Sequence, residues 1–158
     1  MNATELTALY KARNMTLATA ESCTGGLVAG AITAIPGSSS VFTHGFVTYA
    51  NAAKTKMLGV PEAMLAAHGA VSAEVARAMA EGARTRAGTN AAISVTGIAG
   101  PDGGSAEKPV GTVWFALASA AGSIVEHRLF TGSRDKIRAQ AVAFALALAA
   151  RAAIPEGV

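Results

Sequence analysis

The sequence predicts an α/β fold: a three-layer α/β/α sandwich around a mixed, mainly parallel sheet that contains an antiparallel strand. Two observations carry that prediction. Strand-like apolar runs alternate with helical patterns early in the chain, and two strand patterns about a tight turn come late. No internal repeat or low-complexity linker breaks the pattern, so residues 1–158 are expected to form one domain.

The elements follow in order. Residues 4–13 pattern as a short amphipathic helix with Leu6, Leu9 and Tyr10 on one side. Met15 to Glu21 reads as a first strand and Leu27 to Ile35 as a helix, ended by the turn chemistry of Pro36-Gly37-Ser38. Val41 to Ala50 is rich in β-branched and aromatic residues, which predicts a strand in its second half. Short helices are expected over Asn51–Leu58 and Pro61–Ala67, and a longer one from an N-cap at Ser72 to Ala87, with Gly88 just past its end. That helix should pack through Val75, Met79 and Gly82/Ala83 and turn Arg77 and Arg84 away.

Ala91–Thr96 is an apolar run followed by the glycine-rich segment 97–104. Val110–Ala118 and Ile124–Thr131 read as strands about an Ala120–Ser123 turn; Glu126 and Arg128 alternate with apolar residues, as on a half-exposed antiparallel strand. Ser133 caps a last, long helix in which Ile137, Ala141, Phe144, Ala145 and Leu148 recur at helical spacing.

Composition removes several function classes. Hydrophobic residues make up 51% and charged residues 15%, too apolar a balance for a disordered chain. No apolar run reaches the roughly 18–20 residues that cross a bilayer, and the first residues lack the pattern of a secretory signal, so no membrane association and a cytoplasmic protein are expected. The single cysteine, Cys23, excludes an internal disulfide and a zinc cluster; no metal-ligand set or cofactor motif is visible. The net charge of +3 comes from 13 scattered basic residues, and aromatics are only 5%, so neither a nucleic-acid patch nor a base-stacking platform is expected. A small anionic substrate fits this balance. The alanine-rich helices are compatible with a homo-oligomer.

The stretch that points to chemistry is Glu21-Ser22-Cys23-Thr24-Gly25-Gly26. It places a serine between a strand and a helix, beside backbone N–H groups that a helix leaves unpaired. Such a hydroxyl attacks a carbonyl only if a base takes its proton. The candidates are His44, His68 and His127, none in a recognisable triad pattern, and Lys54, which serves only if burial lowers its pKa by roughly 2–3 units. Each also has an ordinary structural reading, and Tyr49 reads equally as a packing residue. Cys23 is a rival nucleophile, with plain burial as its alternative. Thr24, Gly25 and Gly26 either let a ligand approach the backbone or simply form the turn. The Thr96–Gly104 segment either cradles phosphate or ribose or is an irregular loop; it is not a Walker motif. Arg134 and Arg138, four apart at the start of the last helix, either grip a phosphate or form an exposed pair.

Five segments in this order, T-A-E-S-C-T-G-G (19–26), G-F-V-T-Y-A-N-A-A-K (45–54), V-T-G-I-A-G-P-D-G-G (95–104), K-P-V-G-T-V-W-F-A (108–116) and G-S-R-D-K-I-R (132–138), resemble the CinA C-terminal family. The similarity covers about residues 5–153. That family includes bacterial nicotinamide-nucleotide amidases, so the resemblance implies hydrolysis of nicotinamide mononucleotide to nicotinic acid mononucleotide and ammonia. It implies Ser22, Tyr49 and Lys54 as the catalytic group, and a nucleotide pocket drawing on Thr24, Gly25, Gly26, Thr96, Gly97, Gly100, Arg134 and Arg138. The chain departs from the family pattern at Ala50 and Ala52, where serine and glutamate are more usual. Two other readings stand beside the amidase. One is a non-catalytic nucleotide-binding or regulatory module linked to competence or DNA damage, since some family members carry this unit behind another domain. The other is a DNA-associated protein.

Overall fold

The computed structural model describes residues 1–155; Glu156–Val158, counted in the expected domain, lie outside the described residues. The elements are α1 (Ala3–Ala12), β1 (Leu17–Glu21), α2 (Leu27–Thr33), β2 (Phe42–Val47), α3 (Asn51–Leu58), α4 (Glu62–His68), α5 (Ala73–Ala87), β3 (Ala91–Gly97), β4 (Thr112–Ser119), β5 (Gly122–Leu129) and α6 (Arg134–Ala150). The strands lie side by side in the order β2-β1-β3-β4-β5. β1 is parallel to both β2 and β3, while β4 runs antiparallel to β3 and β5. Among the described residues β4 is thus the one strand opposed to the other four, and the expected three-layer α/β/α architecture with an antiparallel strand is observed.

The two faces of the sheet differ in side-chain size, and that difference sets the layers. Leu17, Ile93, Val95, Val113, Phe115 and Leu117 point one way and join Leu6, Tyr10, Ile32 and Ile137 in one core under α1, α2 and α6. Their alternate neighbours Ala18, Ala20, Ala92, Ala116 and Ala118 meet α5 through Ala76, Met79, Ala80 and Ala83. Alanines on both partners let α5 approach closely, and Ser94 Oγ donates to Ala76 O at 2.6 Å. α3 and α4 pack on α5. The contact is tightest at Gly82, where an added Cβ would lie 2.0 Å from Leu58 O, at the end of α3.

The second strand departs from expectation. It occupies the front of the 41–50 segment, ending at Val47, and Tyr49 and Ala50 form a connection. Among the described residues β2 is an edge strand paired only with β1, and the Thr48 and Tyr49 carbonyls accept from Lys54 Nζ instead of from a further strand. The β4–β5 turn is also tighter than expected, with only Ala120 and Ala121 between the strands.

The chain leaves β1 through α2 on one face and leaves β2 through α3–α5 on the other. The carboxyl ends of β1, β2 and β3 therefore open onto one crevice, the place where ligands bind in open α/β sheets. Among the described residues, no helix is long and apolar enough to cross a membrane.

Candidate active site

Ser22 begins the turn that leaves β1. Its N–H still pairs with Val95 O of β3 at 2.9 Å, so the residue is registered by the sheet. The chain then doubles back: Gly25 N–H donates to Ser22 O, and Gly25 and Gly26 take φ of +57° and +106°, values that favour glycine. Gly26, the N-cap of α2, has no side chain to offer. Glu21 supplies the cap instead, its carboxylate accepting from Val28 N–H at 2.8 Å and Ala29 N–H at 3.2 Å. Two of the N–H groups that the sequence leaves open at this helix start are therefore taken by the protein's own acid. Sequence reasoning assigned Glu21 no role. The available signal was a helix start without a capping side chain, beside the only acidic residue between Glu5 and Glu62.

Lys54 enters from α3, on the opposite side of the sheet from α2. Its side chain is 1% exposed, and Nζ donates to Ser22 Oγ at 3.0 Å, Thr48 O at 2.8 Å and Tyr49 O at 3.3 Å. Among the described residues no carboxylate pairs with it. Burial without a counter-ion holds its pKa below the usual lysine range, with the nearby Cys23 sulfur acting weakly the other way. The three acceptors explain how a neutral amine would be aimed. A neutral amine keeps two N–H bonds, which the two carbonyls can receive, and its lone pair then faces the serine hydroxyl.

Ser22, Cys23, Tyr49, Lys54, Thr96, Gly97, Gly100 and Arg134 all line one cleft of about 300 Å³, together with Asn51 and Asp102. Thr24, Gly25, Gly26 and Arg138 do not line it. Arg138 braces the turn after Ser22 instead, with Nε donating to Cys23 O at 3.2 Å and Nη2 to Thr24 O at 3.3 Å. Arg134 joins two walls of the cleft, donating from Nη1 to Gly100 O at 2.7 Å and from Nη2 to the Tyr49 hydroxyl at 2.9 Å. The Tyr49 ring stands at the mouth, 61% exposed, and it is the Tyr49 carbonyl that reaches Lys54.

Thr96 is buried and donates to Ala70 O at 2.9 Å. Gly97 and Gly100 have a packing reason to be glycine: a Cβ would come within 2.7 Å of Val113 Cγ2 and 2.4 Å of Val110 Cγ1, respectively. Burial pushes the Cys23 thiol up to about 11, so it stays protonated at neutral pH and is a poor nucleophile. None of the three histidines lines the cleft: His44 lies on exposed β2, His68 faces Glu74 at 3.8 Å, and His127 stacks on Trp114.

Fold and site together define a class: an α/β protein in which a serine at a strand end meets a buried lysine from a helix, a lysine that no carboxylate pairs among the described residues. Residues 2–153 match the CinA C-terminal domain, and the chain belongs to that family. It is 59% identical over 137 residues to the nicotinamide-nucleotide amidohydrolase PncC of Escherichia coli K12, covering 86% of this chain and 83% of that protein. It is 60% identical over 135 residues to a CinA-like protein of Geobacter metallireducens, covering 85% of this chain but 33% of the relative. The chain thus spans about a third of the length of the CinA-like relatives it matches. Among solved structures, the competence/damage inducible protein CihA of Agrobacterium tumefaciens superposes with a TM-score of 0.92 at 46% identity, covering 95% of this chain and 92% of that one. A CinA superfamily protein of Escherichia coli gives a TM-score of 0.89 at 40% identity, covering 92% and 84%.

Proposed function

We propose that the chain is a nicotinamide-nucleotide amidase that converts nicotinamide mononucleotide and water to nicotinic acid mononucleotide and ammonia. The observation that carries this reading is the 3.0 Å contact between Lys54 Nζ and Ser22 Oγ inside the cleft. The similarity to the Escherichia coli amidohydrolase supports the substrate.

Neutral Lys54 takes the Ser22 proton as Oγ attacks the carboxamide carbon, and the C–N bond breaks once the lysine ammonium returns that proton to the leaving nitrogen. Water then attacks the acyl-serine with Lys54 again as base, releasing the acid and restoring the hydroxyl. The Cys23 backbone N–H, at the cleft wall, stabilises the oxyanion, a contribution of about 3–4 kcal/mol for a well-placed donor. The proton passes directly between Ser22 and Lys54. Tyr49 acts through its carbonyl, which orients the amine, and through its ring at the mouth. Thr96, Gly97 and Gly100 form the wall for the nucleotide, with Arg134 as the cation nearest its phosphate. Arg138, together with Thr24, Gly25 and Gly26, serves substrate indirectly by shaping the turn.

The experiment is ammonia release from nicotinamide mononucleotide by wild type, Ser22→Ala and Lys54→Ala. Wild-type turnover, with each variant folded and down at least about 10³-fold in kcat, is expected. One observation favours a second reading: the longer CinA-like relatives carry this unit as about a third of their chain, as a regulatory module would be carried. A folded wild type that binds the nucleotide without turnover would favour that reading.

A further inference from the structure

The turn that carries Ser22 is gripped from two sides by buried or bridging charges. Glu21, the last residue of β1, is 1% exposed and commits one carboxylate oxygen to Val28 N–H and the other to Ala29 N–H. A buried anion needs such partners, and the start of α2 provides them together with its dipole. Arg138 holds the turn's Cys23 and Thr24 carbonyls. Glu21 is also tied into the sheet by its own carbonyl, which accepts from Thr48 N–H at 2.9 Å. The strand end that sets Ser22, the connection whose carbonyls hold Lys54, and the start of α2 therefore meet at this one residue. Among the described residues, the N–H groups of Cys23, Thr24 and Gly26 have no hydrogen-bond acceptor.

We propose that Glu21 is a positioning residue for the nucleophile: by locking the start of α2 to the end of β1 it holds Ser22 Oγ on the Lys54 amine, and it leaves the oxyanion to the Cys23 amide. The inference rests on the serine–lysine reading above. A helix cap of the ordinary kind would change stability alone; a positioning residue also changes the chemical step.

Glu21→Gln separates the two. It preserves size and one acceptor oxygen but removes the charge and sets an NH2 against one of the two N–H donors. Relative to folded wild type, kcat for nicotinamide mononucleotide is expected to fall roughly 10- to 100-fold, the cost of a small misplacement of a reacting group. KM should stay within about threefold, because the nucleotide-binding wall is untouched. Labelling of Ser22 by phenylmethylsulfonyl fluoride, which needs no nucleotide, should slow by a similar factor. If Glu21→Gln fails to fold, Glu21→Asp, which keeps the charge but lacks one methylene of reach, is read in the same way. A lowered melting temperature with unchanged kcat and labelling rate would reduce Glu21 to a cap and overturn the proposal. A wild type that labels quickly but does not turn over the nucleotide would sink the substrate and leave this inference standing if the Gln variant labels slowly. Failure of wild-type Ser22 to label would sink both.

Discussion

Lys54 shows how one residue changes character with its surroundings. In water its amine would hold its proton up to about pH 10.4, useless as a base near neutrality. Here it is buried, lacks a carboxylate partner among the described residues and has its pKa lowered by desolvation. The rate should therefore rise with pH through a single ionisation below the ordinary lysine range, as the neutral amine becomes populated. Lys54→Met, similar in length and uncharged, is expected to remove that ionisation along with at least about 10³-fold of kcat. The check is a pH profile of kcat/KM for both proteins. A wild-type limb that survives in the variant would assign it to another group. The motif resemblance selected Ser22, Tyr49 and Lys54, yet it could not distinguish a tyrosine acting through its ring from one acting through its carbonyl.

Elements set the distance between these groups. Ser22 is delivered by β1 and Lys54 by α3, so their contact depends on how closely α3 rides against α5 and the sheet. Gly82 is the hinge of that approach. Gly82→Ala would put a methyl 2.0 Å from the Leu58 carbonyl, a backbone atom that no rotamer change can move aside. Pushing the helices apart should cost about 1–3 kcal/mol, read as a lower urea midpoint, and should lower kcat more than the loss of folded protein explains. A variant with unchanged stability and rate would show that α3 can shift freely. The sequence pattern marked Gly82 as part of the packed side of α5, although periodicity alone does not reveal that its partner is a carbonyl oxygen.

The whole molecule stores a pH dependence in the same buried site. The folded state disfavours the Lys54 ammonium, whereas the unfolded chain keeps that proton up to about pH 10.4. Between the lowered folded pKa and that value the unfolded state binds more protons, so stability rises with pH, by at most about 1.4 kcal/mol per unit. Cys23 opposes this at the alkaline end. Its pKa is raised by burial from 9.0 to about 11, so its share of stability is complete below pH 9 and lost as pH climbs through 11. Wild-type stability should therefore climb with pH and level off near pH 9, while Lys54→Met lacks the climb. Urea midpoints across this range decide it, and parallel curves for the two proteins would refute a buried ammonium penalty.

The sequence by itself determined the architecture and the family. Both are written in local signals: apolar periods of two and 3.6, capping residues such as Ser72 and Ser133, and short motifs in a set order. The late hairpin announced the antiparallel strand for the same reason. Tertiary structure alone decided which contacts each motif residue makes. Lys54 reaches Ser22 across 32 residues, Arg134 reaches the Tyr49 hydroxyl across 85, and Arg138 reaches the Cys23 carbonyl across 115. Contacts at such separations depend on where packed helices and strand ends bring side chains, and desolvation, which shifts the Lys54 amine, exists only once those elements have closed around it.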